Sequence, residues 1–534
     1  MSAAAASVPA DRGFSLPRVN PWVIGITVSM AAFLEVLDTS VANVALPYIA
    51  GNLGASYDDS TWVLTSYLAA NAIVLPVSGW LAEVIGRKRY FILSLIVFTV
   101  SSLLCGLAPT LPLLLLFRAI QGIGGGGLQP MAQAILNDTF PPEQRGLAFA
   151  LYGITAVLAP TIGPMLGGWI TDNYSWRWIF FIKLPIALLA LYMTYTLVHD
   201  PPHARRAKKG GIRVDYIGIA FLTLGVASLQ IVLDKGQEDD WFGSHFILTL
   251  AITAAVCLSA LVIWEWYRKD PIIDIRMFRS FNFAAANLMM FMMGVMLFST
   301  LVLIPEFLQT LLGYTAELAG LVLSASGFVL LLMMPVVGRL TSKVQARFLI
   351  AAGWLCLAIG LIYSAYHIDL NISFDFAMWL RCAQVVGIGF LFVPITAAGY
   401  IGVPAEKGNS VSGMVNFMRN IGSSIGTSIV TTMIARRSQY HQQILVGHIV
   451  PDAPAYRAAL QGLTNSIRHQ SGLGVVDAHN QAIARFYGLV NQQAHVLSFM
   501  DTFWVLGVLC AVMFVLAFFL KKNDPGAGGD VAVG

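Results

Sequence analysis

The sequence predicts an all-α integral membrane protein of fourteen transmembrane helices, laid out as two six-helix bundles with a helix pair inserted between them. Three observations predict it. Of 534 residues, 57% are hydrophobic and 11% charged, whereas a soluble domain carries about 25% charged residues; an ordinary core cannot hide that much apolar surface, so lipid is the solvent. Apolar runs long enough to cross roughly 30 Å of hydrocarbon recur along the whole chain. Loop and helix motifs of the first half return in the second at offsets between 259 and 263 residues.

The expected spans follow in order. The first, 22–46, begins after a short polar N-terminal stretch (1–21) with no h-region, so it is expected to act as the insertion signal. The second, 60–83, ends in GWLAEVIGRKR (79–89), where Gly79 allows tight packing and the basic cluster meets the membrane edge. Spans 89–108 and 112–136 follow, the latter carrying FRAIQGIGGGGL (117–128). Span 146–171 holds APTIGPMLGG (159–168), whose Pro160, Pro164 and small residues permit bending and close helix contact. Span 176–198 closes the first bundle (22–198), and the basic linker 199–214 leads to the inserted pair, 215–234 and 245–267. The second bundle, 283–520, reads as 283–311, 317–340, 346–366, 375–402, 407–436 and 498–520, with a long loop at 437–497 and a tail at 521–534.

The repeat pairs PVSGWLAEVIGRKRYF (76–91) with PVVGRLTSKVQARF (335–348), and FRAIQGIGGGGL (117–128) with LRCAQVVGIGFL (380–391). It also pairs FPPEQRG (140–146) with VPAEKG (403–408), and IGPMLGG (162–168) with IGSSIGT (421–427). Arg118 then aligns with Arg381 and Gln121 with Gln384. Parallel repeats of this kind mark secondary transporters, with the substrate path between the halves. Placing the N-terminus in the cytoplasm collects RKR (87–89), RRAKKGGIR (205–213) and most other basic residues on that side; the short loops of the other face hold only Lys235. Both termini are therefore expected in the cytoplasm and the 437–497 loop outside, as a solvated, partly helical segment. Its five histidines do not pair on one helical face with a carboxylate, so no metal site is expected. The five cysteines form no CxxC spacing.

AAFLEVLDTSVANVALP (31–47) places two acids, Glu35 and Asp38, on one face near the middle of the first span. An acid at bilayer depth costs about 2.5–3.5 kcal/mol on insertion scales and usually lines a polar cavity. Two carboxylates so close in low dielectric do not both ionise cheaply, so the pair can take up and release a proton. Arg118, buried in the fourth span, needs a counter-charge, and these two acids are the candidates in its half. Glu306, Gln121, Asn43, Met293, Arg381 and Asn416 are expected to line a substrate cavity. Glu83 with Arg87 and Lys88 is expected to make charge contacts with the other half at a cytoplasmic gate; Gly79, Gly86, Pro160, Gly163, Pro164, Gly167 and Gly168 supply packing and bending. GIGGGG (122–127) lacks the Lys-Ser/Thr of a P-loop, and no Walker A occurs in the chain, which argues against ATP as the energy source. The formal charge of +4 is placed in loops rather than in a stripe, so nucleic acid is not indicated. No cofactor is implied.

These motifs together resemble the major facilitator superfamily. GWLAEVIGRKR is similar to its signature between spans 2 and 3, FRAIQGIGGGG to its span-4 motif, and APTIGPMLGGWI to its span-5 antiporter motif. VLDTSVANVALP (36–47), SWRWIFFIKLPI (175–186), LVLIPEFLQTLLGYTAELAGL (301–321) and NFMRNIGSSIGTSIVTTM (416–433) resemble the fourteen-span drug:proton antiporters, the EmrB-type inner-membrane pumps above all. The resemblance covers nearly the whole chain. It implies two bundles rocking about a central cavity and export of hydrophobic or amphipathic drugs in exchange for protons, with Asp38 and Arg118 in coupling roles. It also implies a periplasmic EmrA-type adaptor and a TolC-type outer-membrane channel as partners, with the 437–497 loop as part of the contact. Departures are Lys183, where the span-6 motif usually has Asn, and Glu35 and Glu306, where related pumps often carry uncharged polar residues. Alternatives are a dedicated exporter of one metabolite (fatty acid, siderophore or antibiotic) or, from another class, a membrane enzyme or receptor. An enzyme should show a nucleophile–base pair or metal cluster at one membrane face, and the sequence has neither.

Overall fold

Apolar runs this long leave the backbone no partner in lipid, so each segment must satisfy its own N–H and C=O groups as helix. The structure, a computed structural model, describes residues 20–199, 215–268, 271–404, 407–449 and 452–521. The remaining residues, which hold nearly all of the expected tails and basic linker, lie outside the described residues. Among the described residues the secondary structure is helical, without strands.

Helix α1 (Pro21–Leu53) starts where the Asn20 side chain accepts from the Trp22 N–H at 3.0 Å and stops at Gly54, whose φ of 63° is left-handed. Ser56 caps α2 (Tyr57–Ile85) in the same way. Only Gly86 separates α2 from α3 (Arg87–Leu107); its φ of 96° strains any side-chain-bearing residue, which explains a glycine at this reversal. The expected fourth span is two helices, α4 (Leu111–Gly125) and α5 (Leu128–Thr139), broken at Gly126 and Gly127. α6 (Pro142–Asn173) follows, and the expected sixth span is likewise split into α7 (Trp178–Phe181) and α8 (Leu184–Leu197). The inserted segment forms α9 (Tyr216–Lys235) and α10 (His245–Tyr267), packed on each other. Then come α11 (Phe281–Thr310), α12 (Ala316–Thr341), α13 (Ala346–His367), α14 (Phe374–Gly399), α15 (Gly408–Gly447), α16 (Pro454–Ser471) and α17 (Val475–Ala517).

Counting α4–α5 and α7–α8 as one span each, thirteen helices among the described residues are long and apolar enough to cross a membrane. The expected span at 407–436 is not among them. It lies in α15, a 40-residue helix rich in Ser, Thr and Asn and carrying Arg419, Arg436 and Arg437. The expected loop at 437–497 is largely helical: α15 runs on to Gly447, α16 occupies 454–471, and α17 begins at Val475. Ile467, Ala478 and Ala482 form a small buried contact between α16 and α17.

The repeat seen in the sequence reappears in packing. Gly163 of α6 lies so close to α1 that a Cβ there would sit 2.4 Å from Ser40 Cβ. The aligned Gly422 of α15 packs on α11, where a Cβ would meet the Phe291 carbonyl oxygen at 2.1 Å. Ser40 also donates at 3.3 Å to the Pro160 carbonyl, which lacks its helical partner because residue 164 is proline.

Helices before residue 200 meet those after 280 through α6 with α12 and α14 and through α2 and α5 with α15. On the side of the α1 N-terminus the two groups touch backbone to backbone. A Cβ on Gly79 would lie 2.7 Å from Ser410 Cα, and one on Gly146 would lie 2.3 Å from the Gly338 oxygen. Arg87 does not reach across this junction as expected. It is buried and bonds Ala134 O at 3.2 Å and Asp138 at 2.7 Å, within its own group, because the turn at Gly86 aims it at α5. Lys88 likewise donates to Tyr195 O at 2.7 Å, and Glu83 faces a charge of the other group, that of Lys407.

Gly146→Val is expected to force α6 off α12 and to cost roughly 1–3 kcal/mol by overpacking. The measurement is the melting temperature of the purified protein in detergent; an unchanged value would show that the close approach is not required.

Candidate functional site

Opposite the sealed side, a cavity of about 320 Å³ lies between the two groups of helices. Its walls are apolar, with Leu64 and Leu68 from α2 and Leu297, Phe298, Leu301 and Val302 from α11. Its polar lining is Glu35 and Asn43 from α1, Gln129 from α5, Asp234 from α9, and Arg419, Asn420, Ser423, Ser424 and Thr427 from α15. A pocket of this size that combines apolar walls with convergent polar groups is the usual form of a small-molecule site.

The two acids of α1 have separate environments although they are one turn apart. Glu35 reaches the cavity and takes all its direct bonds from neutral donors. Asn71 Nδ2 donates to Oε1 at 2.9 Å, Tyr67 donates to the same oxygen at 3.3 Å, and Gln129 donates to Oε2. Gln129 is oriented by its neighbours: its amide oxygen accepts from Tyr152 at 2.8 Å and from the Arg419 guanidinium. One amide thus joins a carboxylate of the first group to a cation of the second. The network continues as the single Tyr152 hydroxyl proton is shared with the Asn416 amide oxygen at 3.2 Å and Asn416 donates to Gln133 at 2.8 Å, again across the groups.

Asp38 is wholly buried and does not line the cavity. It forms ion pairs with both Arg118 and Lys183 and accepts from Gln121 Nε2 at 3.0 Å. Arg118 also donates to Gln121 at 2.8 Å and to Val63 O at 3.0 Å. All these partners belong to the first group of helices, so this centre is closed within it. A buried carboxylate facing two cations is more than compensated: removing the carboxylate leaves two unpaired buried cations, whereas removing one cation leaves a matched pair. Tyr67 touches both centres: Arg118 stacks 4.4 Å from its ring centroid while its hydroxyl donates to Glu35.

Of the expected cavity residues, Asn43 lines the cavity and five do not. Gln121 is buried in the Asp38 centre, Asn416 in the cross-group network, and Met293 in the core. Arg381 repeats the Arg118–Gln121 bond with Gln384 at 3.4 Å, but forms no ion pair among the described residues. Glu306, half-buried, lies toward His495 of α17 rather than in the cavity. Three residues of the site were missed as a set. The sequence singles out neither Gln129 nor Asp234, and Arg419 enters only within the motif at 416–433. Gln129 carries no charge to flag it, and Asp234 sits beside Lys235 at the end of a span, where a charged pair is ordinary. Among the described residues no group of three metal-ligating side chains occurs.

Residues 28–427 match the family model described as Major Facilitator Superfamily. The chain is 37% identical over 510 residues to the multidrug export protein EmrB of Escherichia coli strain K12, covering 95% of this chain and 96% of that protein. It is 35% identical over 511 residues to the fatty acid resistance protein FarB of Neisseria gonorrhoeae, covering 95% and 97%. Among solved structures, the proton:xylose symporter XylE is similar in fold, with a TM-score of 0.59 at 15% identity over 94% of this chain and 96% of that one.

Asp38→Asn is expected to leave two buried cations facing an amide and to cost about 3–5 kcal/mol. Lys183→Asn keeps the Arg118 pair and is expected to be much milder. Melting temperatures of the two purified variants make the comparison, and equal losses would refute this ranking.

Proposed function

The chain belongs to the Major Facilitator Superfamily, and from that premise we propose that it is a proton-coupled antiporter exporting hydrophobic or amphipathic drugs and toxic compounds. The family and the multidrug-export relatives support reading it as a transporter. The observation that carries the coupling is the Glu35–Gln129–Arg419 link, a cavity-lining carboxylate of one group of helices joined through an amide to a cation of the other.

The proposed cycle follows from that link. With both termini in the cytoplasm, the cavity opens outward and the Gly79–Ser410 and Gly146–Gly338 contacts close the inner side. A proton arriving through the cavity neutralises Glu35. The attraction carried through Gln129 to Arg419 then weakens, drug leaves, and the groups are free to rock. In the inward state drug binds and Glu35 returns its proton to the cytoplasm. Asp38, held by Arg118 and Lys183, keeps Tyr67 in place and is the second carboxylate of the coupling pair once the rocking gives it a water path. In this reading α15 supplies the span that completes the fourteen, its polar face turned to the cavity instead of lipid. The two six-helix bundles are 22–198 and 283–520, with 215–267 as the inserted pair. The membrane is the bacterial inner membrane. The helical extension of α15, α16 and α17 is the surface offered to an EmrA-type periplasmic adaptor, which would lead to a TolC-type channel.

Similarity to a fatty acid resistance protein favours a second reading, an exporter dedicated to one metabolite. A resistance panel in a pump-deleted host separates the two, since a single protected compound selects the narrow reading.

Purified protein in liposomes is expected to move an amphipathic dye against an imposed proton gradient, with proton flux in the opposite direction. Glu35→Gln is expected to remove the proton-driven component, about tenfold or more, while drug binding persists. Undiminished proton-driven transport by that variant would end the coupling scheme.

A further inference from the structure

The inserted helix α9 is not a bystander to the cavity. It packs against α2 of one group and α15 of the other, at the seam between them. Its side chains are stitched to both: Lys235 bonds Thr61 of α2, and Gln230, itself fully buried, donates to Ser424 of α15 at 2.8 Å. These bonds fix the last turn of α9 at the outer end of the cavity. Asp234 lies in that turn and lines the cavity with Glu35.

Its two oxygens differ. Oδ1 accepts from Gln230 Nε2 at 3.0 Å, which sets the rotamer. Oδ2 is buried and makes no hydrogen bond of normal geometry among the described residues, with the Thr65 hydroxyl of α2 close to the carboxylate. Asp234 enters no ion pair among the described residues; the nearby ammonium of Lys235 instead bonds Glu238 at 2.6 Å and Thr61. The other charged groups lining this cavity are already engaged, Glu35 by three neutral donors and Arg419 by Gln129. Asp234 is therefore the cavity carboxylate with an acceptor left over. Beside it in the same lining stand Phe298, Leu301 and Val302. A buried acceptor without a donor is costly unless a ligand satisfies it, and a carboxylate next to apolar and aromatic walls matches a molecule with a cationic head and a hydrophobic body.

We infer that Asp234 is a substrate-recognition residue, holding the positive charge of cationic amphipaths in the central cavity, so that the inserted helix sets which charge class the transporter accepts. The inference rests on the proposed export function and assigns its cavity a preference by charge. It also moves the third acid of the site from Glu306, which the cavity does not contain, to the inserted helix.

The test is binding to purified full-length protein in detergent, with tetraphenylphosphonium as the cationic probe and triphenylphosphine oxide as the uncharged one. Asp234→Asn is expected to weaken tetraphenylphosphonium binding about tenfold or more, the scale of a lost charged contact, and to leave triphenylphosphine oxide binding within about twofold. Asp234→Glu, which keeps the charge, is expected to retain the preference for the cation, and covers the case in which the amide disturbs folding. Unchanged tetraphenylphosphonium binding by Asp234→Asn overturns the inference and leaves the export reading standing. Equal weakening of both probes also overturns it, because the residue is then only structural. A wild-type protein that binds neither probe overturns the drug-cavity reading itself, and the inference with it.

Discussion

A carboxylate inside a membrane protein must be met by charge or by hydrogen bonds, and the site is built from two acids one helical turn apart that meet this demand differently. Asp38 is met by charge, with Arg118 and Lys183 both on it and no opening to the cavity. Glu35 is met by Tyr67, Asn71 and Gln129, all neutral, and opens to the cavity. The first arrangement holds one charge state firmly. The second has no cation to hold it ionised by direct contact, and its nearest charged neighbour is reached through a polarisable amide. Tyr67 joins the two, its ring under Arg118 and its hydroxyl on Glu35, so a change at one centre is felt at the other.

Close helix contact determines where such a site can open. The glycines of α6 and α15 let each of these helices lie directly on its neighbour, α1 and α11, and so hold the polar faces of α1 and α15 toward each other. At the α1 N-terminal side the groups touch through Gly79 and Gly146, where no side chain intervenes. On the other side the same helices diverge around the cavity, and α9 fills the seam. Backbone-to-backbone contacts of this kind are made and broken as units, which suits a two-state motion better than gradual deformation.

Much of this was legible in the sequence. Long apolar runs dictated helices, the recurrence of IGPMLGG as IGSSIGT anticipated the paired packing of α6 on α1 and α15 on α11, and the acids of the first span pointed to the site. Arg118 was assigned a partner in the same half and has one. Other features were out of reach. The breaks in the fourth and sixth spans, and the extent of helix in 437–497 beyond the partly helical segment expected, depend on packing and on capping that periodicity does not resolve. Arg87 seemed placed for a contact between halves, yet the turn at Gly86 directs it to Asp138. Glu306 looked like a cavity acid because it is an acid in an apolar run, but the face of α11 turned to the cavity is that of Leu297, Leu301 and Val302.

The sequence by itself determined that the chain is a bundle of membrane-spanning helices with an internal repeat and costly charges near mid-membrane, because hydropathy and the price of a buried charge are local properties of a segment. Only the tertiary structure decided which acid is sealed and which is open, that an uncharged glutamine links the two groups of helices, and that a carboxylate of the inserted helix shares the cavity. Those outcomes depend on helix rotation and on which faces meet, and rotation is set jointly by all the neighbours of a helix, not by its own residues.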